Sequence, residues 1–202
     1  MKKLLVFASV VLAVCSCSSA PSKTDDVAKK IKDSVFRVYC TAKLDADKDG
    51  KISMEEAASV TSMDISELNI SRLDGIEYFT GLKNFNCSSI KAQSIVLACP
   101  ALEVLKCENN PALSKLDVSK SPALSFIFAS HTGLKSLDLK AQQNLYRLWV
   151  DDTPLTVLDL SQCPKVNNLN LLNCPGLSEV TLAPQVDRDL LYLLKDDGLQ
   201  LK

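Results

Sequence analysis

Between Leu82 and Leu182 the apolar positions recur on one short plan, L-x-x-L-x-L, with an apolar or small residue at each fixed place. The copies are Leu82/Phe85/Cys87, Ala92/Ile95/Leu97, Leu102/Leu105/Cys107, Leu113/Leu116/Val118 and Leu124/Ile127/Ala129. They continue as Leu134/Leu137/Leu139, Leu145/Leu148/Val150, Leu155/Leu158/Leu160, Val166/Leu169/Leu171 and Leu177/Val180/Leu182. Successive starts lie ten or eleven residues apart, so alternate ones are separated by twenty to twenty-two. A fixed period in that range predicts a solenoid. Each L-x-L core alternates in and out as a strand does. A lone copy has nothing to bury its apolar edge against, whereas stacked copies make one continuous core.

The half-turns alternate in character. One series reads as in Leu102-Glu-Val-Leu-Lys-Cys-Glu-Asn-Asn110-Pro, the other as in Leu113-Ser-Lys-Leu-Asp-Val-Ser119-Lys-Ser-Pro. This pattern resembles the short bacterial leucine-rich repeat, L-x-x-L-x-L-x-x-N/C-x-L. The resemblance implies an α/β solenoid of 20–22 residues per turn with short parallel strands. It also implies a ladder of Asn or Cys capping backbone groups inside the turns. Here that position holds Ile90, Asn110, Thr132, Thr153 and Cys174. Thr and Cys can do part of that work and Ile90 cannot, so the first turn is expected to be irregular.

In such strands the residues between the fixed apolar ones face outward. That places Asn84, Val104, Phe126, Arg147 and Asn168 in one row, and Asn86, Lys106, Phe128, Trp149 and Asn170 in the next. Neighbouring strands lie about 4.8 Å apart, so adjacent members of a row touch. The single Trp, two Phe, an Arg and a Lys are therefore expected on one exposed sheet face, with Tyr146, Asp151, Asp152 and His131 at its margins. Aromatics with Arg are what interface hot spots favour, and exposed apolar patches mark partner sites. The candidate partner-binding set is Lys106, Phe126, Phe128, Arg147, Trp149 and Asp151. The same platform would also suit stacking on sugar rings. His131 reads as a surface turn residue, with no Ser or Cys beside it to suggest a triad. In the other series Asp117, Asp138 and Asp159 fall in register, as turn-capping carboxylates or, alternatively, a further cation site.

The chain opens with Met1-Lys2-Lys3 and the apolar run Leu4–Val14, the plan of a signal peptide and too short to span a bilayer. Val14-Cys15-Ser16-Cys17-Ser18-Ser19 follows and resembles a bacterial lipobox, which implies lipidation of Cys17, with Cys15 as the alternative. Several acyl chains on one Cys would anchor the protein stably. Ser18–Asp26 has the small, polar composition of a tether.

Asp26–Leu44 carries Val27, Ile31, Val35, Val38 and Ala42 at helical spacing. Next comes Asp45-Ala-Asp47-Lys-Asp49-Gly50-Lys51-Ile52-Ser53-Met-Glu55-Glu56, which resembles the twelve-residue EF-hand calcium loop. By that resemblance Ca2+ takes carboxylate oxygens of Asp45, Asp47 and Asp49, the Lys51 carbonyl, Ser53 directly or through water, and both oxygens of Glu56. Gly50 permits the sharp turn and Ile52 points inward. Only one such loop is present, which disfavours a dockerin-like role. The arrangement is similar to internalin-like surface proteins, whose repeats begin with a helical cap related to an EF-hand. Met54–Val60 would be its second helix, Val60/Met63/Ile65 an opening half-turn, and the ion structural. Ile70–Phe79 bridges cap and repeats, and Asp187–Lys195 is Leu-rich with helical spacing, followed by a Leu199–Leu201 strand. The resulting division is signal peptide 1–16, tether 17–26, helical cap 27–62, solenoid 63–186 and C-terminal cap 187–202.

A net charge of −1 offers no electrostatic case for nucleic acid. Of eight cysteines, Cys15 and Cys17 belong to export, and Cys87 and Cys107 share an inward place on adjacent turns, where they pack as small hydrophobes or form a bridge. Cys40, Cys99, Cys163 and Cys174 show no C-x-x-C spacing, which argues against zinc thiolate sites. No general acid, base and nucleophile converge. The expected function is non-enzymatic: a monomeric lipoprotein of the outer membrane or cell surface that binds a protein on a host or neighbouring cell. Glycan binding and a purely structural envelope role are the alternatives.

Overall fold

The computed structural model describes residues 25–202. The proposed signal peptide, Cys15, Cys17 and most of the tether lie outside the described residues. A 3-10 turn at Val27–Lys29 leads to helix α1 (Ser34–Lys43), the acidic loop and helix α2 (Met54–Ser59). The strands then follow as β1 (Ser62–Asp64), β2 (Asn84–Asn86), β3 (Ser94–Val96), β4 (Val104–Lys106), β5 (Lys115–Asp117) and β6 (Phe126–Phe128). They continue as β7 (Arg147–Trp149), β8 (Leu158–Leu160), β9 (Asn168–Leu171), β10 (Glu179–Leu182), β11 (Tyr192–Lys195) and β12 (Gln200–Leu201).

The main sheet has seven parallel strands in the order β1-β2-β4-β6-β7-β9-β11. The second series of half-turns pairs less continuously, as β3-β5 and as β8-β10-β12, with one isolated bridge from Ser136 to Val157 between them. Every fixed position of the ten copies is buried, so the two series close on one shared core. The periodicity therefore maps directly onto a solenoid of about seven turns.

Each of the first six main-sheet strands exits through a residue in the left-handed backbone region: Glu67, Ser89, Asn109, His131, Asp152 and Asn173, all with φ between 55° and 62°. Asn, Asp and His tolerate that region better than most residues. The amide of each of the first five donates to a carbonyl of the next turn, from Glu67 to Ser88, Ser89 to Glu108, Asn109 to Ser130, His131 to Asp151 and Asp152 to Leu172. The ladder runs unbroken past Ile90, so the irregular first turn expected there is not observed. Asn110 explains it. Its amide nitrogen donates to the Cys107 carbonyl at 2.9 Å and across the turn to the Cys87 carbonyl at 3.0 Å, doing the work Ile90 cannot. Thr132, Thr153 and Cys174 cap their own or neighbouring turns through Oγ or Sγ.

A second ladder stands on the other half-turn at Cys99, Ser121, Gln142 and Cys163, whose side chains reach carbonyls of the preceding turn. The lack of C-x-x-C spacing at Cys99 and Cys163 does not by itself point to this ladder. Their shared period with Ser121 and Gln142 is the sequence signal for it. The six described cysteines are free and buried, Cys87 and Cys107 included. Burial pushes the Cys40 and Cys107 thiols up to about 12 and those of Cys99 and Cys163 to about 11, which keeps them protonated and inert.

Two expected helices are corrected. The segment from Asp26 to Leu44 is not one helix, because Asp33 caps a new start by accepting the Val35 and Phe36 amides. That reset turns Val35, Val38 and Ala42 outward and buries Phe36 and Cys40 instead, while Val27 and Ile31 remain inside. At the far end Asp187–Lys195 holds strand β11, paired in parallel with β9 from Tyr192–Asn168 to Lys195–Leu171. The neighbouring strand supplies a ladder that a lone short helix could not match. The Leu199–Leu201 strand is observed as β12 beside β10.

Candidate functional site

Strand register carries both outward rows as expected. Val104, Phe126, Arg147 and Asn168 stand side by side, as do Lys106, Phe128, Trp149 and Asn170. At the centre of the sheet the four large side chains pack on one another and are half-buried. The Arg147 guanidinium carbon sits 5.8 Å from the Phe126 ring centre and 5.4 Å from that of Trp149, within cation–π range of both. Phe128 meets Trp149 edge to face at 5.1 Å. Tyr146, placed at the margin from sequence, packs against Phe126 at 6.1 Å. The indole N–H donates to Asn168 Oδ1 at 2.8 Å, which fixes the ring orientation. Arg147 Nε is buried without a protein partner.

The patch is a preformed aromatic and cationic surface rather than a loose cluster. Towards β1 it opens into a concavity of about 290 Å³ lined by Asp64, Asn84, Asn86, Val104 and Lys106. Beyond β9 the same rows continue into Tyr192 and Leu194, both exposed. Helical spacing over 187–195 does not place those two on the face, whereas the observed strand does. A larger concavity, about 770 Å³, lies elsewhere, beside Arg72, Asp74, Lys91 and Ser94, with mixed charges and none of these aromatics.

Asp151 extends the Trp149 row past the strand end. Its Oδ1 accepts the Ser130 hydroxyl and the Asn170 amide. His131 and Asp152 occupy successive left-handed positions, with Nε2 to Oδ2 at 3.6 Å. Asp117, Asp138 and Asp159 each accept the amide two residues on, as turn-capping carboxylates do. Hydrogen bonds from Ser119 and Ser161 hold Asp117 and Asp159 below the ordinary carboxylate range.

The acidic loop lies between α1 and α2. Gly50, at φ 82°, donates its amide to Asp45 Oδ2 at 2.8 Å, and Asp47 and Asp49 each accept the amide two residues on. One oxygen from each of Asp45, Asp47 and Asp49 lies within 4.8 Å of the others, and Asp45 Oδ1 is buried with no partner. That orphaned oxygen amid three carboxylates fits a hard cation. Glu56 stands apart from this group. Its carboxylate accepts the Ala46 and Ser53 amides, both at 2.8 Å, and forms a capping box with Ser53. With no second loop to pair with, Ile52 donates its amide to Asp26 Oδ1 and accepts the Val27 amide, and its side chain is fully buried.

No family model matches the chain, and no curated protein matches it. Among solved structures it is similar to the functional domain of InlJ from Listeria monocytogenes, a structure described as including a cysteine ladder, with TM-score 0.69 and 24% identity. That similarity covers 86% of this chain and 42% of that one. The fold is a leucine-rich-repeat solenoid. Two further L. monocytogenes internalins match less well. InlF gives TM-score 0.48 at 17% identity over 83% of this chain and 47% of its own, and internalin C2 gives 0.49 at 13% over 78% and 86%. The chain spans less than half the length of the InlJ and InlF structures. Among the described residues no helix is long and apolar enough to cross a membrane.

Proposed function

We infer that this protein is a non-enzymatic binding protein of the cell envelope that captures a protein partner on the main-sheet face. Phe126, Phe128, Arg147 and Trp149 form the anchor, with Lys106 and Asp151 at its edges. The observation that carries this reading is Arg147 lying across Phe126 and Trp149 while all four side chains remain half-buried. Aromatic and Arg anchors held rigid before binding lose little entropy on association. The same observation weighs against the glycan alternative, because Arg147 occupies ring faces that a sugar would need. Export and lipidation of Cys17, and attachment to the outer membrane or cell surface, rest on the sequence.

The acidic loop is proposed to hold a structural Ca2+ through Asp45, Asp47, Asp49, the Lys51 carbonyl, Ser53 and Glu56. Glu56 is the ligand that would exchange backbone amides for the ion. The bound cation would neutralise the carboxylates and stiffen the end of the solenoid.

Trp149 is the single Trp, so its emission reports the face directly. Titration with envelope protein fractions should shift that emission, and Arg147→Ala should abolish both the shift and retention of the protein. Glycan retention that depends on Trp149 would overturn the protein reading in favour of the sugar platform.

A further inference from the structure

A separate constellation lies where the aromatic face meets the ridge of left-handed residues. One donor atom from each of His131, Asp151 and Asp152 lies within 4.8 Å of the other two. It differs from an ordinary acidic cluster in containing an imidazole, a borderline donor that suits transition metals and not calcium or magnesium. Groups outside the trio orient it. Asp151 Oδ1 accepts the Ser130 hydroxyl and the Asn170 amide, and Asp152 Oδ1 accepts the Asn173 amide at 3.0 Å, while its Oδ2 faces His131 Nε2. Each carboxylate is thus steadied through one oxygen, the outer-shell arrangement by which proteins aim carboxylate ligands at metals. The backbone adds rigidity, because the His131 amide donates to the Asp151 carbonyl and the Asp152 amide to that of Leu172.

We propose that His131, Asp151 and Asp152 bind a divalent transition-metal ion of the zinc class at the rim of the aromatic face. One imidazole nitrogen and two carboxylate oxygens make three protein ligands, leaving a position open to water or to a partner's side chain. The metal joins two successive turns beside Trp149, so it would fix the edge of the surface on which a partner docks. This site is independent of the acidic loop, which offers oxygen ligands alone.

The repeat supplies its own controls. Asn109 and Asn173 already hold the left-handed position of His131 and Asp152 with nearly the same φ, so His131→Asn and Asp152→Asn keep the backbone. The experiment titrates tag-free protein with Zn2+ in saturating Ca2+, by calorimetry and by imidazole NMR. His131 is the single histidine, so its ring signals are unambiguous. One equivalent of Zn2+ should bind and move the His131 ring nitrogen resonance. His131→Asn and Asp152→Asn should each weaken that binding by more than about 100-fold, and Asn173→Ala, which touches only the outer shell, by about 10-fold. A His131 signal unmoved by one equivalent of Zn2+ would overturn the proposal, as would unchanged stoichiometry and affinity in folded His131→Asn.

Discussion

In the repeats, a buried carbonyl is capped once per turn by a side chain at a recurring place, so the loss of one member leaves the others standing. Asn110 illustrates this, because it serves the turn of Ile90 as well as its own. The N-terminal cap is held differently, by a few contacts that occur once. Asp33 caps α1 and at the same time accepts the Ser71 amide and hydroxyl at 2.9 and 3.0 Å, tying the helix to the segment that enters the repeats. Gly81 lets α2 approach, since a Cβ there would stand 2.1 Å from the Ala58 carbonyl oxygen. Repetition spreads stability along the solenoid, whereas the cap concentrates it in a handful of residues. The cap should therefore separate from the solenoid before the solenoid unfolds.

Within the solenoid the largest effect is expected at its middle. Leu148→Ala removes a fully buried side chain of β7 and should cost about 2–5 kcal/mol in denaturant unfolding. The loss should appear across the whole repeat array, since both neighbouring turns pack on that position. Asn110→Ala should follow at about 1–3 kcal/mol, because two buried carbonyls lose their donor. Asn110→Thr should recover the local cap, as Thr132 shows, but not the bond to Cys87. If Asn110→Thr were as stable as the unsubstituted chain, the cross-turn bond would not be what regularises the Ile90 turn.

The cap gives the next effect. Burial raises the affinity of Asp33 for a proton, but the hydrogen bonds from Ser71, Phe36 and Val35 outweigh it and hold the carboxyl below its ordinary value of 3.8. A depressed carboxylate contributes stability that is complete above the unfolded value and fades as pH falls through the lower folded one. Amide exchange in α1 and at Ser71 should therefore accelerate below about pH 4, while the β6–β7 amides stay protected. Asp33→Ala should remove that acid step and cost about 1 kcal/mol at neutral pH, in line with the loss of a helix cap. The proposed calcium site offers a parallel test. Adding Ca2+ to chelator-treated protein should slow exchange in the acidic loop and α2 and leave the central strands unchanged.

Legibility in the sequence follows the same division. A period repeated ten times averages out local exceptions, so the core, the register and the outward rows are all legible in the sequence. Leu82 to Leu182 form one statistical object. The cap and the last turn offer a single instance each, where one residue decides the outcome. Asp33 resets the phase of α1, although Asp33-Ser34 before an apolar run is itself a start signal. Around Leu190–Leu194 a short apolar run fits helix and strand equally, and pairing with β9 selects the strand. That Phe126, Phe128, Arg147 and Trp149 share one face is readable from period alone, whereas the place of Tyr192 and Leu194 on it is not. That Arg147 lies over the rings, and that Glu56 rests on amides, depends on rotamers and local hydrogen bonds that period does not encode.

The smallest effect is the sharpest check on that reset. Helical spacing over Asp26–Leu44 places Val38 inside, whereas the structure exposes it by 64% and buries Phe36 completely. Val38→Ser should change stability by less than about 0.5 kcal/mol, as surface substitutions do. Phe36→Ala, two residues away, should cost about 3–5 kcal/mol, because its ring lies in the core 6.4 Å from that of Phe79. The pair isolates the phase of one helix from everything else in the cap. A loss at Val38 comparable to that at Phe36 would mean that α1 continues the phase of Val27 and Ile31, and that Asp33 does not begin it anew.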